Sequence, residues 1–134
     1  MSANNSLESD VASMVMNGVD PAFRAAATGY VALFTADPTE TGSLADECDD
    51  ATYARVAVTK ATGWGASGST RANTGTISWP TLTGAGPDLT YWAWVSSASG
   101  ATDYMISGAL NNPVPWSAGV KPVADPGTLT AVFD

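Results

Sequence analysis

GYVALFTADPTETGS, residues 29–43, decides how the rest of the chain is read. In an extended strand Val31 and Leu33 point to one side, and Tyr30, Ala32 and Phe34 to the other. A strand with one wet face alternates apolar with polar residues, whereas this one is apolar on both. It therefore reads as a central strand. One face lies in a core, and the other is covered by a helix, a loop or a neighbouring subunit.

Working outward, short apolar or alternating runs predict strands at 29–35, 53–59 (YARVAVT), 74–79 (TGTISW), 89–95 (LTYWAWV), 104–110 (YMISGAL) and 128–133 (LTAVF). The run 114–120 adds a short edge piece, because Pro115 suits an edge better than a centre. Turn-forming connectors such as ADPTETGSLADECDDA, ATGWGASGSTRAN and PTLTGAGPD separate them. Many short strands with such punctuation predict an all-β fold, an antiparallel β-sandwich of jelly-roll-like type. One helix is expected, at 5–17 (NSLESDVASMVMN), with Leu7, Val11, Met14 and Val15 on one face. Asn5 and Glu8 suit a capping box, Gly18 a stop, and Asp20-Pro21 a break. The chain thus divides into an arm, 1–28, and a sandwich domain, 29–134.

Composition limits the chemistry. With 134 residues there is one domain, large enough to bury roughly two-thirds of its unfolded surface. The net charge of −8, with five basic residues, argues against nucleic acid or an anionic membrane as partner. No apolar run approaches the ~20 residues of a membrane span. The N-terminus has no basic start and apolar core of a signal peptide, which points to cytosolic synthesis. Cys48 is the one cysteine, so an internal disulfide is excluded, and its acidic neighbours in LADECDD disfavour the thiolate.

Without histidine there is no Ser-His-Asp or Cys-His arrangement and no imidazole metal site. Paired carboxylates leave a small carbohydrate-active enzyme as a formal alternative, but most acids fall in predicted loops where solvation explains them. DECDD at 46–50, with Asp37 and Glu40 upstream, offers oxygen ligands to calcium, but its spacing is not that of an EF-hand and a hydrated acidic loop is the ordinary reading. No catalytic residue, cofactor or metal is expected.

Five tryptophans remain. Trp79, Trp92 and Trp94 fall in or at the ends of predicted strands, and core packing is their ordinary role, with a sugar-stacking or protein-contact platform the alternative. Trp64 and Trp116 sit in Gly-, Ser- and Pro-rich loops and are better candidates for partner contact. Arg55, flanked by apolar residues, is expected to snorkel or to pair with Asp46 or Glu47.

The succession YVALFTADPTETGS, YARVAVT, NTGTISWPT, YWAWVSSASG, ISGAL and LTAVFD resembles a family of small tailed-bacteriophage virion proteins. Members are known as tail fibre proteins, and others of similar size serve as capsid decoration, or cement, proteins. The resemblance covers most of residues 29–134, with departures at Val95-Ser96 and at GAGPDLT. It implies a non-enzymatic structural protein made in the host cytoplasm and carried on the virion. A compact acidic domain without a repetitive shaft favours a clamp on the outer surface of the head, bridging subunits of the major capsid protein. A minor tail or fibre-base protein touching host glycans is the alternative. Shell symmetry predicts self-association as a dimer or trimer. The expected contact residues are Leu7, Val11, Met14 and Val15 of the helix, with Trp64 and Trp116.

Overall fold

In the computed structural model, which describes residues 2–133, the elements follow one another as β1 (Ser2–Ala3), α1 (Asn5–Asn17), a 3-10 turn (Ala22–Ala25), β2 (Thr28–Phe34), β3 (Val56–Thr59), the single turn α2 (Lys60–Gly63), β4 (Trp64–Ser67), β5 (Thr70–Asn73), β6 (Ile77–Ser78), β7 (Leu89–Val95), β8 (Met105–Val114), β9 (Val123–Ala124) and β10 (Thr130–Val132). Met1 and Asp134, the outer ends of the two expected segments, lie outside the described residues. The pairings are antiparallel and give sheets in the orders β1-β8-β7-β2-β3, β10-β5-β4 and β6-β9. The fold is all-β and sandwich-like with one N-terminal helix, as the sequence predicts. Sheets of five, three and two strands do not reproduce the two four-stranded sheets of a jelly roll, so that finer expectation is not shown.

β2 is central, between β7 and β3, and both of its faces are buried from Val31 to Phe34. Val31 and Leu33 join Trp92 of β7 in the main core, which the two smaller sheets close with Ile77, Ala124 and Ala131. The buried indole N–H of Trp79 donates to the Val31 carbonyl at 3.1 Å, tying the second layer to the central strand. On the opposite face Ala32, Phe34, Ala93, Val95 and Met105 form a second cluster with Leu44 packed on it. The cover is therefore the 35–48 loop. Cys48 N–H donates to Leu33 O at 2.9 Å and Thr35 N–H to Asp46 O at 2.9 Å, so the loop folds back along β2.

An ion pair between buried Arg55 and half-buried Glu47 holds that loop. Arg55 donates from Nε to Glu47 Oε1 at 2.7 Å and from its second amino nitrogen to Oε2 at 2.8 Å. Its remaining donors reach Ser97 O and Gly100 O, clamping the β7–β8 turn. The Tyr53 hydroxyl donates to Glu47 Oε1 at 2.9 Å and accepts from Leu33 N–H at 3.0 Å. Burial first, and the Glu47 charge second, push the Tyr53 hydroxyl pKa far above its ordinary value. These polar contacts shorten the strand expected over 53–59 to Val56–Thr59, because Tyr53 and Arg55 are committed to the loop rather than to a ladder.

Other boundaries moved for similar reasons. The expected strands at 74–79 and 128–133 contract to β6 and β10, whereas β8 runs beyond 110 to Val114 and absorbs the start of the edge piece. A register shift between Leu89 and Tyr91 lets β8 carry Pro113 off the regular ladder. The loop ATGWGASGSTRAN holds α2 and the β4–β5 hairpin. Its Gly68-Ser69 turn has Gly68 at φ 57°, the glycine-first pattern of a two-residue hairpin.

Arg55→Ala should cost about 1–3 kcal/mol, because it leaves the half-buried Glu47 carboxylate and the Ser97 and Gly100 carbonyls without their donor. Urea denaturation of the two proteins would measure this, and a loss below about 1 kcal/mol would mean that the pair does not anchor the loop.

Candidate interaction site

α1 matches the expected span 5–17, but its cap is Asn4, one residue earlier than the sequence suggested. Asn4 Oδ1 accepts from Leu7 N–H and from Met105 N–H, both at 3.2 Å, and Asn4 N–H donates to Met105 O at 2.9 Å. The same side chain therefore starts the helix and extends the β1–β8 pairing, which selects Asn4 over Asn5. Gly18, at φ 68°, ends the helix as expected. No residue of α1 is buried. Leu7 and Met14 are half-buried, whereas Val11 is 44% and Val15 71% exposed, with Met16 and Val19 exposed beside them. A 13-residue helix without a buried face gains little from packing within the chain.

Trp64 stands at the start of β4. Its ring stacks on Trp92 with centroids 5.6 Å apart and meets Trp94 edge-on at 5.1 Å. Trp92 is buried in the core and Trp94 is half-buried. Trp94 lies across Gly29 of β2, where a Cβ would come within 2.2 Å of the indole. The glycine that opens the decisive strand is thus the room for this ring. These tryptophans, with Ile106, Ala131 and Phe133, line a cleft of about 240 Å³ rimmed by Lys60 and Arg71. A second depression of about 290 Å³ continues past Trp94 and Ile106 to Leu7, Phe23 and Tyr104. Lys60 Nζ donates to Phe23 O at 2.7 Å and lies 5.6 Å from the Tyr104 ring centroid. Burial pulls the Lys60 pKa down.

Trp116 is half-buried, far along the chain from this cleft, and does not line it. Its indole N–H donates to Asp50 Oδ2 at 3.0 Å, and it packs so closely on Gly86 that a Cβ there would meet it at 2.3 Å. Asp50 also accepts from Thr52, Thr83 and Gly84 backbone N–H groups. The Trp116 hydrogen bond first, with those backbone donors, holds the Asp50 carboxyl well below the usual carboxylate range. Two acids of DECDD are accordingly occupied within the chain, Glu47 by Arg55 and Asp50 by this hub. Among the described residues no three of Cys, Asp and Glu gather into a metal-sized cluster. Cys48 is buried, and that burial pushes its thiol pKa up, with Asp50, Asp49 and Glu47 adding to the effect.

A protein-family model described as Gp80, Podophage GP4 fiber I protein gp80, matches residues 2–131. The chain belongs to this family. No curated protein matches the chain. The match spans α1 and every lining residue of the aromatic cleft except Phe133. No helix among the described residues is long and apolar enough to cross a membrane.

Of the expected contact residues, the fold brings Leu7 and Trp64 to adjoining depressions, leaves Val11 and Val15 outward, and sets Trp116 apart as a loop pin. The sequence reading missed Lys60 and Arg71. The Gly68-Ser69 hairpin signal would have placed Arg71 on a strand paired with Trp64's, though not opposite Trp94.

Gly29→Val should displace Trp94 and cost about 1–3 kcal/mol by overpacking, measured by urea denaturation with tryptophan emission as probe. An unchanged midpoint and spectrum would show that Trp94 does not need the glycine. Asp50 contributes stability above its ordinary pKa of 3.8, and this is lost as pH falls through that value towards the lower folded pKa. The melting temperature of Asp50→Asn should therefore lie below that of the native chain at pH 6, and the gap should narrow below pH 3.8. A gap independent of pH would remove Asp50 as the titrating hub.

Proposed function

We propose that this protein is a non-catalytic structural subunit of a phage tail, mounted in or at the base of a fibre. The observation that carries the reading is the match of residues 2–131 to a podophage fiber I protein. The physical features agree with it. The outward Val11, Val15 and Met16 of α1, with Val19 just past its end, expose apolar surface suited to burial against copies of itself or a neighbouring virion protein. The −8 charge keeps the free subunit soluble and away from packaged DNA, on a tail as well as on a head. The head-decoration reading rests on the compact body without a repetitive shaft, on that charge and on the likeness in size to decoration proteins. A subunit at the base of a fibre needs no shaft either, and the family match favours the fibre. Assembly then stabilises by mass action, since the neighbouring subunits bind the folded chain and not the unfolded one.

Immunogold labelling of intact particles should place the protein on tails at low copy number. Labelling at many positions over the head would overturn the tail assignment. Because Asn4 holds β8, deleting the arm would damage the sheet as well as the helix. The cleaner variant is V11D with V15D, which should melt like the native chain yet fail to join particles. Normal incorporation would remove α1 from the attachment.

A further inference from the structure

The positive charge of this acidic molecule is unevenly placed. It has five basic residues. Arg55 is paired with Glu47, and Arg24 with Asp20. Lys60 and Arg71 have no carboxylate partner among the described residues, and both line the cleft against Trp64 and Trp94. Among the described residues the Arg71 side chain donates only to the Gly68 and Thr70 carbonyls, and that of Lys60 to the Phe23 carbonyl. Among the described residues no Asp or Glu lines this cleft or the depression that continues it. Among the described residues the buried indole N–H groups of Trp64 and Trp92 and the buried Tyr104 hydroxyl meet no hydrogen-bond partner.

We propose that this groove binds an acidic saccharide, with a sugar ring against Trp94 and Trp64 and its carboxylate or phosphate between Lys60 and Arg71. The ring faces of indoles offer flat apolar area that matches the C–H face of a pyranose. Two cations beside them supply charge-assisted hydrogen bonds to the anionic group, and the low polarity of the walls strengthens these. Depressions of about 240 and 290 Å³ sit at the small end of ligand sites and suit a ring each rather than a folded partner. The net charge of −8 rejects a dense polyanion such as nucleic acid, but tolerates a glycan with one anionic group per ring or fewer. For its setting the inference rests on the tail-fibre reading, since a subunit on a tail meets the cell envelope.

The test is titration of the purified full chain, followed by tryptophan emission. The probes are oligogalacturonate and a phosphorylated mannan oligosaccharide, each beside its neutral counterpart of equal length. At least one acidic probe should bind saturably, about tenfold tighter than its neutral counterpart, and more weakly as salt rises. The two acidic probes distinguish carboxylate from phosphate. R71Q and K60Q should each weaken binding several-fold while K121Q leaves it unchanged. Absence of saturable binding to both acidic probes, equal binding of neutral ones, or equal effects of R71Q and K121Q would overturn the proposal. Acidic-glycan binding by a protein found on heads would sink the fibre reading and keep the groove. Tail labelling without such binding would do the reverse.

Discussion

The stretch Val31–Phe34 of β2 is buried on both faces, and much of the molecule is arranged to keep it so. A strand in that position must have its backbone groups paired on both edges and its side chains covered on both sides. β7 satisfies one edge along its length, whereas β3 reaches only to Val31 on the other, where Cys48 N–H and the Tyr53 hydroxyl take over at Leu33. The covers are unlike each other. One is a regular layer of smaller sheets sharing an apolar core, and the other is a loop with little regular structure.

That asymmetry explains where the polar networks lie. A sheet on a sheet is held by apolar burial and by ladders, so the main core needs few side-chain hydrogen bonds beyond Trp79 to Val31. The loop has only a short backbone pairing with β2, through Cys48 and Asp46, and fixes the rest of its shape through side chains. Glu47, Arg55 and Tyr53 do this at one end of the acidic segment, and Asp50 with Trp116 does it at the other. The acids that look like a hydrated, calcium-seeking run in sequence are in part internal fasteners. The side chain of Asn4 adds a third tie, reaching Met105 while it caps α1 and lying close to Gly42 of the loop.

The family membership and the geometry meet at the surface rather than in the core. α1 leaves apolar surface open, and the aromatic cleft gathers two cations that have no acidic partner among the described residues. Both features are unfavourable for an isolated soluble domain and sensible for one that works in contact with others. The cleft exists because a tryptophan-bearing strand in one layer, β4, packs over two tryptophans of the other.

Periodicity and turn chemistry determined the all-β class, the helix span, the central position of residues 29–34 and the two-faced division of β2. These are local or period-two properties, readable because side chains alternate along any strand. The pairing of Arg55 was legible as a need for an acid, and Glu47 was among the two foreseen. Only the tertiary structure decided that a loop, not α1, covers Phe34, that Asn4 rather than Asn5 caps the helix, and that Trp116 pins Asp50. Only it brought Lys60 and Arg71 beside Trp94. Each of these joins residues far apart in the chain, and a linear pattern carries the period of an element but not which element will lie against it.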